Sequence, residues 1–260
     1  MTMTRPIFRH ACSIFVMLPI LLNGCSASHT GNQVKHEIQP NHTKAKENSQ
    51  AASLSLDQMR MTEAPKDEQQ TPLDTVTHVV KWKFSDEKDV VPSKKNILWE
   101  THLGSEAVVA TKVPKLKDSR LNLFALSFHD GKWGIKNVTD APIDRLEDHV
   151  KGLTLPMQKY AVITSDFDGK SIWNITDGKR TVMIALYPQF SFSMREGTKT
   201  IPFKGDEAFV NTRSKTQSLF YYFDQEKLIW IYGDLSESEI IKLANSLPSA
   251  GSPSFPEASS

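Results

Sequence analysis

Cysteine is nearly missing from this chain. Cys12 and Cys25 are the only two, and both stand close to the N-terminus. Nothing beyond position 25 can form a disulfide, so packing alone must stabilise whatever folds there. Long apolar runs are missing too. The most apolar stretch, Ala11 to Leu22, is broken only by Cys12 and Ser13 and contains Pro19; it falls short of the roughly 20 residues that cross a hydrocarbon core. Charge of one sign is also lacking, with 31 Lys and Arg against 30 Asp and Glu and a formal net charge of +1. That balance argues against a nucleic-acid binder, which draws on clustered basic charge, and against a polybasic membrane contact. Between Ser26 and Leu73 there is no Phe, Trp or Tyr. Such a stretch cannot bury enough apolar area to offset the entropy of ordering it. Finally, the chain contains no Gly-x-Ser-x-Gly elbow, no phosphate-cradling glycine loop and no His-Glu-x-x-His, so no contiguous motif points to a catalytic reaction.

What is present begins with Cys25. Arg5 and Arg9 precede the apolar stretch, which runs into Leu21-Leu22-Asn23-Gly24-Cys25. This order of basic, apolar and small-residue regions resembles the lipobox of a bacterial lipoprotein signal peptide. Asn23 departs from the small residue usual at its position. The resemblance implies diacylglyceryl attachment to the Cys25 thiol and cleavage between Gly24 and Cys25. Two or three acyl chains there would hold the chain on the extracytoplasmic face of the cell membrane. Removing Arg5 and Arg9 takes the net charge from +1 to −1 (+1 − 2). An ordinary signal peptide, or an N-terminal anchor helix containing a cysteine, is the alternative reading.

The rest of the chain divides by composition. We expect a signal peptide over 1–24, a lipidated Cys25 with a disordered tether over 25–74, and a β-rich module over 75–155. A second domain of sheet plus helix should cover 156–248, with a disordered Pro- and Ser-rich tail over 249–260. Apolar residues alternate in Val76–Phe84, placing Val80, Trp82 and Phe84 opposite Lys81 and Lys83. Asp130-Gly131, Asp168-Gly169 and Asp177-Gly178 lie between such runs and signal hairpins. Asp224-Gln225-Glu226 is a further tight turn. Eight to ten strands follow. Pro142–Lys151 reads as one helix. A second helix is marked by the capping box Ser236–Glu239, the staple Leu235 and Ile240, and the stripe Ile240, Leu243, Ala244 and Leu247 before Pro248. The fold class is therefore α+β: a mainly antiparallel, curved sheet with a C-terminal helix packed on it, formed as one core or two β-rich subdomains.

The segments Thr200–Val210, Leu219–Phe223 and Lys227–Leu247 together resemble an uncharacterised C-terminal domain of secreted and membrane-anchored proteins, mainly from Gram-positive spore-formers. In that domain a strand pair ends in Tyr-x-Gly or Tyr-x-Ser-x-Leu-Ser, and a short helix ends in Ala-x-Ser-Leu. Phe220 or Tyr221 stands where the first strand often carries Trp. The domain is itself similar to the lipoprotein-carrier fold. The stretch from Asn96 to Pro142 resembles a small β-module of Gram-positive lipoproteins. These resemblances imply a fold and an envelope location, and no reaction or cofactor.

For chemistry the sequence offers few candidates. His29, His36 and His42 sit in the expected tether, and His78, His102, His129 and His149 are scattered without ligand spacing. Asp166-Phe167-Asp168-Gly169 lacks the later Glu a calcium loop needs. No metal and no cofactor is expected. The aromatic content is more informative. Phe220–Phe223 is aromatic on both strand faces, and Phe190 and Phe192 form a neighbouring pair. We expect Phe190, Phe192, Phe220 and Tyr222 to line a shallow groove for a protein, peptide or lipid ligand. If all these rings pack against the final helix, the groove is lost. The leading functional reading is a non-enzymatic binding module at the cell envelope. A regulator of envelope stress or sporulation acting through a protein partner is the second. A hydrolase with a noncontiguous site is the third, and it requires a cleft where His, Asp and Ser converge.

Overall fold

The computed structural model describes residues 55–86, 88–116, 119–143, 146 and 152–257. Gly24, Cys25, the signal peptide and the tether up to residue 54 lie outside the described residues. So do His149 and most of the helix expected over Pro142–Lys151.

The described residues form an α+β fold dominated by open antiparallel sheets. A small sheet contains β1 (Leu56–Met61), β2 (Val80–Phe84) and β3 (Asp89–Val90), with helix α1 (Pro72–Val79) leading into β2. A four-stranded meander follows: β4 (Ile97–Leu103), β5 (Glu106–Lys112), β6 (Arg120–His129) and β7 (Lys132–Pro142). The remaining strands are β8 (Ala161–Phe167), β9 (Lys170–Thr176), β10 (Thr181–Pro188), β11 (Lys199–Phe203), β12 (Asp206–Ser214), β13 (Gln217–Asp224) and β14 (Lys227–Gly233). They build one seven-stranded sheet in the order β11-β12-β13-β14-β10-β9-β8. Helix α2 (Glu237–Ser246) closes the chain's regular structure.

Three apolar clusters stack these elements in layers. Val76, Trp82 and Phe84 of the first layer pack on Ala107, Val109, Phe124 and Leu126 of the meander. The opposite face of the meander, with Val108, Ala110, Leu121 and Leu123, packs on Ile172, Met183, Ala185, Tyr187, Tyr221 and Trp230 of the large sheet. The far face of the large sheet, with Ile184, Val210, Phe220 and Ile231, receives Ile240, Leu243 and Ala244 of α2. Both central sheets are thus covered on both faces. Their middle strands accordingly read as nearly continuous apolar runs such as Thr181–Tyr187 and Leu228–Tyr232, the pattern of a doubly buried strand.

Several expectations are corrected. The segment 55–74 is ordered, not a tether, because Leu56 and Met59 of β1 pack beside Trp82 and Phe84. Val76–Val79 is helical and not extended. Thr71 caps α1 by accepting the Asp74 N–H at 3.0 Å, Pro72 begins it, and the strand starts only at Val80. Pro142 is the last residue of β7, so the expected first turn of that helix is strand at its first residue. The tail is folded as far as residue 257. Ser249 Oγ and the Ala250 N–H both donate to the Asp224 carboxylate, and the Phe255 ring stands 5.4 Å from Trp173. The modules expected over 75–155 and 156–248 share the core between the two larger sheets and belong to one compact unit.

Candidate functional site: an aromatic strap over the large sheet

The connection from β10 to β11, residues 189–198, crosses one face of the large sheet as an irregular strap. Its start is fixed by the Gln189 N–H, which donates to Glu226 O at 3.1 Å. Its end is fixed by the side chain of Asn211, which donates to Glu196 O at 3.0 Å and to Thr198 Oγ1 at 3.3 Å. Between these points Phe190 and Phe192 turn towards the sheet. Their rings are 5.2 Å apart. Phe190 lies 6.5 Å from Tyr187, and Phe192 lies 5.3 Å from Tyr221 and 6.5 Å from Phe223. Tyr221 in turn stacks on Phe209, 4.9 Å away and nearly parallel. Such ring pairs add about 0.5–1.5 kcal/mol each beyond area burial. The other side of the strap rests on the β4–β5 turn, where a Cβ on Gly104 would come within 2.6 Å of Phe192 Cβ.

This arrangement leaves a groove of about 260 Å³, lined by Gln189, Phe190, Ser191, Phe192, Met194, Phe209, Tyr221 and Phe223. Met194 is 57% exposed. The Tyr221 hydroxyl is buried without a partner among the described residues, and burial pushes its pKa up. The groove is small against the several hundred Å³ of a drug-sized site. It suits a few apolar side chains or a short acyl segment.

The sequence expectation is thereby split. Phe190 and Phe192 meet at the groove. Phe220 and Tyr222 do not join them: they face the opposite side of β13, buried with Phe203 beside α2. The reason is strand parity, since neighbouring residues on a strand point to opposite faces. Tyr221 and Phe223, the odd members of the same aromatic run, occupy the places expected of Phe220 and Tyr222. Phe209 was missed because it stands alone in a polar strand.

A second cavity, of about 360 Å³, lies between Phe203, Tyr222, Phe223 and Ser249, with Asp206, Glu207 and Asp224 on its rim. Lys204, Asp224 and Ser249 in its lining are already employed in holding the chain together. Lys204 Nζ stands over the Phe203 and Tyr222 rings at 5.4 and 5.7 Å and donates to Leu247 O at 2.8 Å, tying the end of α2 to β11. Asp224 holds the tail. Among the described residues no group of three or more His, Cys, Asp or Glu could hold a metal ion. Of the described histidines, His78 Nδ1 faces Asp74 O, His102 lies 3.8 Å from Glu100, and His129 lies 3.3 Å from Asp130. None of the three lines the groove. No described helix is long and apolar enough to cross a membrane.

No family model matches the chain, and no curated protein or solved structure matches it either.

Proposed function

We propose that this chain is a membrane-anchored, extracytoplasmic lipoprotein whose folded part is a non-enzymatic binding module, with the strap groove as its ligand site. The anchor rests on the sequence from Arg5 to Cys25, with cleavage after Gly24 and lipid on the Cys25 thiol. The observation that carries the binding role is the ring set Phe190, Phe192, Phe209, Tyr221 and Phe223. It is gathered by a strap that leaves Met194 exposed and Phe190, Phe192, Phe209 and Phe223 half-buried over the buried Tyr221. Such a partly open cluster of rings favours a ligand with an apolar portion: a peptide, a lipid or an envelope fragment.

Two measurements test this reading. Mass analysis of the chain from its native host should find it beginning at Cys25 with a diacylglyceryl thioether. An intact leader and an unmodified thiol would refute the anchor. For the groove, an uncharged apolar fluorophore should bind the wild-type chain, and Phe192→Ala should weaken that binding by about tenfold, the equivalent of about 1.4 kcal/mol. Equal binding by the two proteins would refute the groove.

A further inference from the structure

Two hairpin turns stand at one end of the large sheet: Lys204-Gly205 between β11 and β12, and Gln225-Glu226 between β13 and β14. Because β12 pairs with β13 antiparallel, the turns that precede β12 and follow β13 are neighbours. Both turns contribute to the lining of the cavity of about 360 Å³ beside Ser249. Its apolar wall is the rings of Phe203, Tyr222 and Phe223. Asp206 is opposite Phe203 in the β11–β12 register, and Asp224 stands two residues after Tyr222 on β13. Directly paired residues share a face, as do alternate residues of one strand. Both carboxylates therefore stand on the face that carries the buried Phe203 and Tyr222 rings. Glu207 adds a third carboxylate to the lining.

These acids are only partly used. Asp224 accepts from Ser249 Oγ and the Ala250 N–H through Oδ2 alone, and Asp206 accepts the Glu207 N–H through Oδ1. None of the three forms an ion pair among the described residues. The lining holds one cation, Lys204, which is tied to Leu247 O. Three carboxylates against one ammonium leave two negative charges in excess (3 − 1). The second observation is Tyr222. It is 3% exposed, and its hydroxyl is buried with no hydrogen-bond partner among the described residues. Native folds rarely leave such an atom unpaired without a reason. Burial, and after it the charge of Asp224, pushes its pKa up, so the hydroxyl stays neutral with lone pairs for an N–H donor. The three carboxylates do not converge closely enough to hold a metal ion. Spread around aromatic rings, they suit a larger cation that carries its own N–H groups and packs on ring faces.

We propose that this cavity is a binding site for an organic cation, an alkylammonium or alkylguanidinium group held among Asp206, Glu207 and Asp224 against the rings of Phe203 and Tyr222. The site shares only Phe223 with the lining of the strap groove and does not depend on the groove being a ligand site.

The test is calorimetric titration of the full chain at low ionic strength with butylamine, butylguanidine, butanol and calcium chloride. Both organic cations should bind at least about tenfold more tightly than butanol or calcium. Asp206→Asn and Glu207→Gln should each weaken butylamine, and the double variant should bring it down to the affinity of butanol. Tyr222→Phe keeps the ring and removes only the hydroxyl. It should weaken butylamine by about threefold without lowering the unfolding midpoint, because no partner is stranded. Glu226→Gln, in the adjoining turn but outside the lining, is the charge control and should bind like the wild type. Circular dichroism checks that each variant folds. A blocked Gly-Lys-Gly tripeptide that binds more tightly than butylamine would uphold the site and identify its ligand as a basic peptide; the reverse order would uphold it for a free amine. Calcium or butanol bound as tightly as butylamine would overturn the site. So would undiminished butylamine affinity in the double variant or in Tyr222→Phe.

Discussion

Lys170 Nζ lies 2.8 Å from Glu106 Oε2, and this pair joins the two larger sheets. Glu106 opens β5 of the meander and Lys170 opens β9 of the large sheet; their side chains are only 18% and 15% exposed for Lys170 and Glu106 respectively. Lys170 Nζ also stands 5.0 Å from the Tyr187 ring and 5.6 Å from Phe167, so its surroundings are largely apolar. Removing one partner leaves the other charge in that setting. Lys170→Ala should therefore destabilise the fold by about 2 kcal/mol, below the 3–5 kcal/mol of a wholly buried pair because solvent still reaches the site. The double variant Lys170→Met with Glu106→Leu should recover most of the loss. Denaturant unfolding of the three proteins measures both effects, and a double variant no more stable than Lys170→Ala would contradict the pairing.

A second polar link crosses the other inter-sheet core. Asn122 is fully buried on β6. It accepts the Trp82 Nε1–H at 2.8 Å through Oδ1 and donates to Asp140 at 2.7 Å through Nδ2. Arg120 then holds the same Asp140 oxygen. Asn122→Ala would strand the indole N–H inside an apolar layer. The expected loss is about 2 kcal/mol, within the range for an unpaired buried donor. Tryptophan fluorescence during urea unfolding reports it directly, since Trp82 is fully buried.

How far these features could be read in advance depended on their range along the chain. The cap of α2 was legible because it is local: Ser236 and Glu239 bond each other's backbone, and Leu235, Ile240, Leu243 and Ala244 are buried as their spacing required. The Asp130-Gly131 and Asp168-Gly169 turns were legible for the same reason, with positive φ at all four residues. At Asp177-Gly178 only the glycine has positive φ, and the Asp177 carboxylate instead caps the loop by accepting the Lys179 and Arg180 N–H groups. The number of strands was underestimated. Runs such as Leu219–Phe223 are apolar on both faces because both faces are covered, and alternation vanishes there. β1 went unseen for the opposite reason, since only Leu56 and Met59 carry its contact. The meeting of Phe192 with Tyr221 was not legible at all, because the strap that carries Phe192 has no strand pairing to fix its place and only the fold lays it over β13.

The same cap predicts a pH dependence. Glu239 accepts the Ser236 N–H at 2.8 Å and the Ser236 hydroxyl at 2.7 Å, and these bonds hold its pKa below the ordinary carboxylate value. Glu237, bonded to Lys199 and Thr212, is lowered as well. A carboxylate whose pKa is lower folded than unfolded adds stability above its unfolded value, about 4.3 for Glu, and loses it as pH falls through the folded value. The wild type should therefore lose more stability than Glu239→Gln between about pH 5 and pH 3. Asp234, whose pKa burial raises, contributes with the opposite sign but equally in both proteins, so the difference isolates Glu239. Ser236→Ala, which removes the other half of the box, should cost about 1 kcal/mol at neutral pH. Parallel stability curves for wild type and Glu239→Gln would show that the box has no charged component.

Gly104 couples the meander to the strap. It has φ of +53°, which disfavours any side chain, and a Cβ there would meet Phe192 Cβ at 2.6 Å and reach 3.6 Å from the Phe190 ring. The backbone strain alone is about 1 kcal/mol for a residue with a side chain. The clash adds to it, and the strap, which has no strand partner of its own along 189–198, is the part able to yield. Gly104→Ala should thus displace Phe192 from Tyr221 while leaving the two sheets intact. The expected signature is selective: groove binding of an uncharged apolar fluorophore falls by about tenfold, whereas the unfolding midpoint moves only by the strain at Gly104. A variant that kept full groove affinity would show that Phe192 is not held in place from this side. A variant that lost its cooperative unfolding would show that the turn supports the sheets and not the strap alone.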